Sequence, residues 1–385
     1  MSLANRIRAC MHGFEPYDAR QAENYIVKLD ANESPFPLPE PVRIELAEYF
    51  AGGGDLNLYP DDHSLTLRET IADHWGLRPE NVLAGDGSDG IIDMIARLFV
   101  DPGDAVICPE PSFSMYAVST KIMQGRAIAV RLQPEDDFRY DADMFIRLAN
   151  EHQAKVLYLC TPNNPTGGIL PKEETLRVAR ECPNTLVAVD EAYGEFGGET
   201  VFPASLDFGN VVVLRTFSKA FGLAGIRCGY ALAGADTIRL LSRAKPPYNV
   251  SSLSQRIAAR VLGARNVIQT QVDIITNARD YLASRLSCAG ARVFPSQANF
   301  VLADLSCIPG ILKPPEGKRV EDETGPGLGV KMAGLLAEKR VLVRPFRDPV
   351  LKNCLRITAG TRGQADVFME ALEEAVDLLE TGVIK

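Results

Sequence analysis

The sequence predicts an α/β protein, in which a large domain with a doubly wound, mostly parallel sheet is joined to a smaller α+β domain. From about residue 65 to residue 241, short apolar runs alternate with amphipathic stretches. The runs are apolar at consecutive positions, which is typical of strands that helices cover on both faces. The chain has 385 residues, more than one domain usually contains, so a second domain is expected.

Six apolar runs predict the main strands of the large sheet, and helical periodicity appears in the stretches between them. Strands and helices that alternate in this way form parallel sheets, because each helix carries the chain back to the same end of the sheet. The predicted strands are 105–109, 127–132, 155–160, 185–190, 211–216 and 228–233, and the predicted helices are 90–99, 142–152 and 171–181.

The smaller domain is expected to begin with a long helical stretch from Leu253 to about Leu286. Four strand-like segments (RVFP, NFVLADL, VLVRPF and CLRITAG), a helix near 330–339 and a terminal helix from about Gln364 follow it. Residues 306–329 are rich in Pro, Gly and charge and predict a surface loop. We therefore divide the chain into an N-terminal arm with part of the small domain (1–45), the large domain (46–252) and the small C-terminal domain (253–385).

The charge balance and composition exclude several classes of function. The chain has 50 Asp and Glu residues against 41 Lys and Arg. An acidic chain without a basic run is not expected to bind nucleic acid or an anionic membrane. The four histidines form no HxxxH motif or Cys/His cluster, so no metal site is expected. No apolar run reaches the ~18 residues of a membrane span, and the N-terminus lacks the apolar core of a signal peptide. Eight scattered cysteines without a CxxC pair indicate a reducing compartment, so we expect a cytoplasmic protein.

Open α/β sheets bind ligands beyond the carboxyl ends of their strands, so the polar residues at those ends are the candidates for a site. In residues 82–90, a short strand leads through a glycine turn into a helix that we expect to begin near Gly90. The free backbone N–H groups of Ser88, Asp89 and Gly90, together with the positive end of that helix, are suited to bind an anion.

The glycines of the same segment also permit a different interpretation. Gly85, Gly87 and Gly90 match the GxGxxG fingerprint of dinucleotide-binding proteins, and Glu110 follows a strand twenty residues further on. A nicotinamide dinucleotide, and with it an oxidoreductase, is therefore an alternative at this stage.

Two further strand ends carry ionisable residues. The strand 185–190 ends in Asp190 and Glu191, with Tyr193 close behind. A carboxylate at this position either caps a helix or faces a cationic ring nitrogen. Lys219 follows the strand 211–216 beside Ser218, whereas most lysines at such positions are merely solvated.

A turn and an aromatic residue complete the set of candidates. The sequence CTPNNPTGG (160–168) is a turn whose Asn163 and Asn164 offer amide groups, and Phe113 stands at another strand end. Pyridoxal phosphate needs five kinds of group, and all five are present among these candidates. They are an anion-binding helix end for its phosphate, a carboxylate for its pyridinium, an amide donor, an aromatic ring that stacks on it and a lysine at a strand end. Nicotinamide chemistry assigns no necessary role to Lys219 or to the turn.

Motifs in the same order along nearly the whole chain resemble those of the fold-type I pyridoxal-phosphate-dependent aminotransferases of class II. The SK…R segment and DEAY are specific to this superfamily, and the first and last motifs resemble those of the histidinol-phosphate aminotransferase branch. The motifs are LDANESPFP (29–37), LYPD (58–61), GDGSDGIID, PEPSFSMY, TPNNPTGG, VDEAYGEF, RTFSKAFGLAGIRCGY, ANFVL (298–302), VLVRPF and LRITAGT (355–361).

The resemblance implies three catalytic residues and their roles. Lys219 corresponds to the Schiff-base lysine, and Asp190 to the partner of the pyridine nitrogen. Tyr193 and Asn164 correspond to the residues that bond the cofactor's phenolic oxygen. Phe113 stands where many relatives have tyrosine, which keeps the stacking on the ring but removes a hydroxyl.

The resemblance also implies a phosphate site, a substrate site and a homodimer with shared active sites. Tyr59 would reach the phosphate of the neighbouring subunit's cofactor. Two departures from the family are Gly90, where an acidic residue is common, and the longer loop 306–329. The implied phosphate site comprises Ser88, Asp89, Ser218 and Arg227 with Thr216 nearby, and the implied substrate site comprises Arg356, Arg344, Tyr17 and Asn32.

The reaction that the resemblance implies uses L-histidinol phosphate and 2-oxoglutarate and yields imidazole-acetol phosphate and L-glutamate, a step of histidine biosynthesis. An aromatic amino-acid aminotransferase shares every cofactor residue, and a threonine-phosphate decarboxylase uses a related scaffold. A non-catalytic cofactor-binding regulator is a further alternative, although the chain shows no DNA-binding segment.

Overall fold

A computed structural model describes residues 6–14, 24–309, 311 and 327–380, and within these the strands form two sheets. Six strands of the large sheet begin and end within one residue of the apolar runs that predict them, and the seventh lies in the segment 82–90, where a short strand is expected without stated bounds. In chain order the strands are β1 (Val27–Leu29), β2 (Val82–Gly85), β3 (Ala105–Glu110), β4 (Arg126–Arg131), β5 (Val156–Cys160), β6 (Leu186–Asp190), β7 (Val211–Thr216), β8 (Gly229–Ala233), β9 (Arg292–Val293), β10 (Phe300–Asp304), β11 (Val341–Pro345) and β12 (Cys354–Thr358).

Helices are present at five places where the sequence predicts one to begin, near residues 90, 142, 171, 330 and 364, and each begins within three residues of the expected position. Side-chain oxygens of Asp141 and Ser251 accept backbone N–H groups at the starts of the helices Ala142–Glu151 and Ser252–Gly263. The helices are α1 (Glu40–Ala51), α2 (Leu65–Trp75), α3 (Gly87–Phe99), α4 (Met115–Ile122), α5 (Ala142–Glu151), α6 (Lys172–Glu181), α7 (Ala235–Leu241), α8 (Ser252–Gly263), α9 (Arg265–Cys288), α10 (Leu328–Glu338) and α11 (Arg362–Glu380).

The large sheet has the order β2-β8-β7-β6-β5-β3-β4. Strands β3 to β7 run parallel, whereas β8 is antiparallel to both β7 and β2. The prediction of a mostly parallel α/β sheet is therefore confirmed. The register sets Cys160 beside Asp190 and Asp190 beside Leu214, so the carboxyl ends of β5, β6 and β7 lie at one edge.

Both faces of the large sheet are covered, which explains why its strands are apolar at every position. Along β6, Val187 and Val189 belong to one apolar cluster, while Leu186 and Ala188 belong to the cluster on the opposite face. Successive side chains of a strand point to opposite faces, so a strand between two layers of helices needs apolar residues throughout.

The small sheet has the order β1-β11-β12-β10-β9, and its β1 comes from the N-terminal part of the chain. Val27 pairs with Val341 in a parallel arrangement, which brings residues 30–33 to the edge of the small sheet. The small sheet and the helices α9 to α11 enclose an apolar cluster of their own.

The single long helix expected from Leu253 to about Leu286 is in fact two helices that meet at Ala264. Gly263, a poor helix former, ends the first of them. Ile257 and Val261 of α8 belong to the apolar cluster that packs on the large sheet, whereas Leu282 of α9 belongs to the cluster enclosed by the small sheet. The chain thus passes from one core to the other along these two helices.

Two general features bear on function. No helix within the described ranges is both long and apolar enough to cross a membrane. Over the same ranges, His, Cys, Asp and Glu side chains form no group of three or more that could hold a metal ion.

Candidate active site

Lys219 lies in the segment after β7, at the edge where the parallel strands end. Its Nζ donates a hydrogen bond to the carbonyl oxygen of Ala31 at 3.0 Å and lies 5.8 Å from the centre of the Tyr193 ring. Burial, and then the positive charge of Arg356, lower the pKa of Lys219 from 10.5 to about 8. A lysine with this pKa is partly neutral at physiological pH, which a nucleophile or base requires.

Asp190 ends β6 and is only 3% exposed. Its Oδ2 accepts a hydrogen bond from the Tyr116 hydroxyl at 2.6 Å, and its Oδ1 accepts the backbone N–H of Ala192 at 3.0 Å. Burial raises the pKa of Asp190 from 3.8 to about 6. Among the described residues, no Lys, Arg or His forms an ion pair with it, so this buried carboxylate is suited to a cationic ligand.

The neighbouring carboxylate, Glu191, has a different environment. It is 2% exposed and pairs with Arg215 at 2.8 Å, while Arg215 also pairs with Glu195 at 2.9 Å. The Glu191 carboxylate also accepts hydrogen bonds from the Thr200 hydroxyl and from the backbone N–H of Val201. Because its charge is already matched inside the protein, Glu191 stabilises the turn after β6 and offers no charge to a ligand.

Asn163 and Asn164 have separate tasks in the turn after β5. The side chain of Asn163 is fully buried and bonds to the Pro111 carbonyl, Thr166 and Ser112, so it fixes the turn. Asn164 instead accepts a hydrogen bond from Arg356 at 2.6 Å, and therefore lies at the boundary between the two sheets.

Arg356 projects from β12 towards the same edge and is 8% exposed. Its second terminal nitrogen donates to the carbonyl oxygen of Asp30 at 2.6 Å. Arg344 of β11 is directly opposite Arg356 in the strand register. Residues opposite each other on adjacent strands point to one face, so the two arginines form a cationic patch.

Asn32 joins the small sheet to Tyr193. Its side-chain N–H group donates to the Tyr193 hydroxyl at 2.9 Å, and its side-chain oxygen accepts from Thr358 at 3.2 Å. Its carbonyl oxygen accepts from Asn299 at 3.0 Å. All four residues are buried, so Asn32 holds Tyr193 in place. Burial raises the pKa of Tyr193 to about 12, and its phenol stays protonated.

The glycine turn forms an anion site that differs slightly from the predicted one. Helix α3 begins at Gly87, three residues before the expected start, and Gly90 N–H already bonds to the Asp86 carbonyl. The N–H groups left without a partner in the helix are therefore those of residues 87–89, rather than 88–90. The helix starts early because Gly87, at φ +68, turns the chain into it directly after β2.

Arg227 adds a positive charge beside this helix end. It contacts the Asp89 carboxylate at 3.2 Å and the Ser218 hydroxyl at 3.4 Å. Glycine is favoured at position 87 because its φ of +68 is one that other residues rarely adopt, and a Cβ there would also displace the Arg227 guanidinium, which lies within 2.9 Å of it. A Cβ on Gly229 would come within 2.7 Å of the Ser88 nitrogen, so glycine also lets β8 approach the helix end.

The remaining predicted residues have the following positions. The hydroxyl of Thr216, at the end of β7, accepts the Ser218 N–H at 3.1 Å. Phe113 lies half-buried after β3, with its ring edge-on to Tyr116. Tyr59 is 82% exposed and stacks on Tyr248 at 4.5 Å. Tyr17 lies outside the described residues.

Sequence reasoning missed two residues of the site. Tyr116 lies in the quoted PEPSFSMY motif, three residues after Phe113, a spacing that puts both on one side of a helical turn. That spacing is the signal that could have identified it. Thr358 carried no such signal, because its contact with Asn32 joins positions 326 residues apart.

The dinucleotide interpretation of the glycine turn has no support in the structure. Glu110, the acidic residue it needs, pairs with Arg131 of β4 at 2.8 Å. Strand β4 is at the edge of the sheet, away from β6 and β7.

Comparison with known proteins places the chain in a family. The family model "Aminotransferase class I and II" matches residues 24–372. The histidinol-phosphate aminotransferase of Ruminiclostridium cellulolyticum is 42% identical over 368 residues, 95% of this chain and 97% of that protein. The corresponding protein of Pyrococcus furiosus is 33% identical over 371 residues, 96% of this chain and 98% of its own.

Solved structures agree. The histidinol-phosphate aminotransferase of Sinorhizobium meliloti, in complex with pyridoxal-5'-phosphate, has a TM-score of 0.81 at 27% identity and covers 92% of each chain. L-threonine-O-3-phosphate decarboxylase of Porphyromonas gingivalis has a TM-score of 0.75 at 22% identity, covering 91% of this chain and all of its own, and shares the fold. The chain belongs to the class I and II aminotransferase family, and the two relatives described above, which align over nearly their full length, are histidinol-phosphate aminotransferases.

Proposed function

We propose that the protein is a pyridoxal-phosphate-dependent aminotransferase that converts L-histidinol phosphate and 2-oxoglutarate to imidazole-acetol phosphate and L-glutamate. The observation that carries the proposal is the pairing of Lys219, whose pKa is lowered to about 8, with a buried Asp190 that has no cationic partner among the described residues. The full-length relatives in the histidinol-phosphate branch support the choice of substrates.

The polar groups of the site fit this cofactor one by one. The helix end at Gly87, with Ser218 and Arg227, matches a phosphate group. Asp190 matches a ring nitrogen, and Lys219 is the one to hold the cofactor covalently. When bound, pyridoxal phosphate supplies an electron sink for a carbanion at the substrate carbon. The proposed contacts to the cofactor also include Ser88, Asp89, Phe113, Asn164, Tyr193 and Thr216.

Lys219 is the proposed base. With a pKa of about 8, its Nζ is neutral in a useful fraction of molecules near pH 7.5, where an exposed lysine is almost fully charged. A neutral Nζ accepts the proton from the substrate carbon and then donates it to a second carbon, that of the cofactor. The Ala31 carbonyl accepts a hydrogen bond from this Nζ and so orients it.

Asp190 and Tyr193 have complementary roles in this proposal. An ionised Asp190 stabilises positive charge on the ring nitrogen, which keeps the ring able to accept electrons. Tyr193 stays protonated because its pKa is about 12, and it accepts a hydrogen bond from Asn32 while its own proton remains available to a ligand oxygen. Asp190 would therefore offer the cofactor a negative charge, and Tyr193 would offer it a neutral hydrogen-bond donor.

The substrate's anionic group is assigned to the cationic patch of Arg356 and Arg344. A guanidinium binds a carboxylate or a phosphate through paired N–H groups, so one patch suits both glutamate and histidinol phosphate. Asn32 and Tyr17 complete the proposed substrate site. Because the Asn32 side chain is engaged by Tyr193 and Thr358, we assign it to positioning Tyr193 as well as to contact with the substrate.

We further propose a homodimer in which Tyr59 completes the partner's phosphate site. The segment around Tyr59 exposes more apolar surface than a monomer needs: Leu56 is 55% exposed and Leu58 is 62% exposed. A cytoplasmic location is also proposed, since the eight cysteines are free thiols.

One pair of measurements tests the proposed function. Purified protein supplied with pyridoxal phosphate should develop a visible absorbance band, and with L-glutamate it should aminate imidazole-acetol phosphate with a higher kcat/KM than phenylpyruvate. A higher value for phenylpyruvate would favour an aromatic aminotransferase, and release of CO2 from threonine phosphate would favour a decarboxylase. Either result would overturn the substrate assignment.

A further inference from the structure

We infer that Tyr116 is a positioning residue for Asp190: its hydroxyl holds the carboxylate in the orientation and the ionised state in which it pairs with the cofactor's ring nitrogen. The inference rests on the proposed function, since it assigns a role to Tyr116 in cofactor binding. Tyr116 does not itself contact the reacting atoms in this proposal.

The geometry around the carboxylate carries the inference. The Tyr116 hydroxyl donates to Oδ2 at 2.6 Å, and the Ala192 N–H donates to Oδ1 at 3.0 Å. With one donor on each oxygen, the carboxylate cannot rotate without losing a hydrogen bond inside the protein, where water does not replace it. Its remaining lone pairs are therefore held in one direction.

The Tyr116 ring is itself rigid, so the hydroxyl is well placed. Tyr116 is 1% exposed and stacks on Tyr158 at 4.5 Å with an angle of 13° between the rings. Phe113 also packs against Tyr116, with the two rings edge-on and their centres 5.6 Å apart. Phe113, which would stack on a bound cofactor ring, and Tyr116, which orients Asp190, thus lie three residues apart at the beginning of α4.

The electrostatics act in the same direction. Burial raises the pKa of Asp190 to about 6, and the hydrogen bond from Tyr116 opposes that rise by stabilising the charged form. Burial raises the pKa of Tyr116 well above 10, so the phenol remains a donor at every relevant pH. The other titratable groups that face Asp190 are Asp89 of α3, Glu191 and Tyr193 of the turn after β6, Cys160 and Tyr158 of β5, and Tyr140.

The test uses the holoenzyme and compares Tyr116→Phe with a matched control, Tyr158→Phe. Both changes remove one hydroxyl from the same buried ring stack, but only Tyr116 donates to Asp190. Three quantities are measured: the dissociation constant of pyridoxal phosphate, the pH midpoint of its visible absorbance band in the protein, and the melting temperature of the apoprotein. None of them requires a substrate.

We expect Tyr116→Phe to weaken cofactor binding about tenfold, the usual effect of losing a hydrogen bond to a charged group. The absorbance midpoint should move to higher pH. A ring nitrogen with less positive charge withdraws less electron density from the titrating nitrogen that is conjugated to it, so that nitrogen holds its proton to a higher pH. Tyr158→Phe should leave both quantities at the wild-type values. If Tyr116→Phe does not fold, 3-fluorotyrosine at position 116 replaces it, and its more acidic phenol should move the midpoint to lower pH.

An unshifted midpoint and an unchanged dissociation constant in Tyr116→Phe would overturn the inference. Equal shifts in both variants would also overturn it, since they would reflect the loosened ring stack rather than the hydrogen bond. A wild-type protein that gives no visible band with pyridoxal phosphate would overturn the proposed function itself, so the two failures are distinguishable.

Discussion

The guanidinium of Arg356 donates a hydrogen bond of 2.6 Å to the side-chain oxygen of Asn164. Arg356 belongs to the small sheet, and Asn164 to the turn after β5 of the large sheet. Arg356, which we propose to bind the substrate, is thus hydrogen-bonded to Asn164, which we propose to bind the cofactor. A ligand anion that binds Arg356 competes with Asn164 for it, so substrate binding is coupled to the cofactor's surroundings.

The first prediction concerns the covalent link to the cofactor. Borohydride reduction of the holoenzyme should label the peptide that contains Lys219, because this lysine combines a lowered pKa with a position beside Tyr193. Peptide mapping by mass spectrometry is the measurement. Lys245 is the internal comparison, since it pairs with Asp62 at 2.8 Å and should stay unlabelled; a label there would contradict the assignment.

The second prediction concerns the stability of the apoprotein. Lys219→Met should stabilise it below pH 8 by about 1–3 kcal/mol, because a partly buried lysine with a lowered pKa destabilises the folded state while it is charged. The folded pKa of about 8 lies below the unfolded value of 10.5, so the gain should be constant below pH 8 and vanish as the pH rises towards 10.5. Chemical unfolding at several pH values measures it. A pH-independent gain would indicate packing instead.

The third prediction separates the two neighbouring carboxylates. Asp190→Asn should lower kcat by at least about 100-fold while the protein folds normally, because an amide cannot balance the charge on the ring nitrogen. Glu191→Gln should lower the free energy of unfolding by about 1–3 kcal/mol: Glu195 still balances Arg215, but the new amide N–H group would face one of the donors that the Glu191 oxygens now accept from. Steady-state kinetics and urea unfolding of both variants check this. Near-normal turnover in Asp190→Asn would make Asp190 structural.

The fourth prediction concerns the shared site. Tyr59→Phe should weaken cofactor binding in a homodimer, and Lys219→Ala should abolish the covalent link. In a hybrid dimer with one change on each chain, one site has its own Lys219 and the partner's intact Tyr59, so its cofactor affinity should be that of the wild type. With both changes on one chain, the remaining site should show the weakened affinity. The reverse pattern would place Tyr59 in its own subunit's site.

The fifth prediction concerns the cationic patch. Arg356→Ala should lower kcat/KM for glutamate and for histidinol phosphate together, by about 100-fold each, because both anions use one buried guanidinium. Arg239→Ala is the control, since Arg239 is an exposed arginine of α7 whose loss changes the net charge equally. A loss confined to one of the two substrates would show that they occupy separate sites.

Some of this architecture is predictable because it follows from burial alone. The runs 185–190 and 211–216 are apolar at every position because β6 and β7 are covered on both faces, and the structure agrees with them to within one residue. Strand ends then identify Asp190 and Lys219, since a parallel sheet gathers its carboxyl ends at one edge. The family could be recognised because its motifs lie at these ends.

Other features depend on contacts between residues far apart in the chain. Asp190 and Glu191 are adjacent and chemically alike, yet only Glu191 is matched by an arginine, because Arg215 of the neighbouring strand reaches it. Two helix boundaries also differ from the prediction, although their causes are local: α3 begins at Gly87, where φ is +68, and α8 ends at Gly263, a poor helix former. No periodicity in the sequence shows either feature.

The sequence by itself determined six strands of the large sheet, the edge of that sheet at which the candidate site lies, and the residue types found there. The tertiary structure decided which of these residues are charged, oriented or already engaged: the Tyr116 hydrogen bond to Asp190, the hold of Asn32 on Tyr193, and the lowered pKa of Lys219. The physical reason is that secondary structure follows from local apolar patterns, whereas pKa values and hydrogen bonds depend on what the folded chain brings within a few ångströms.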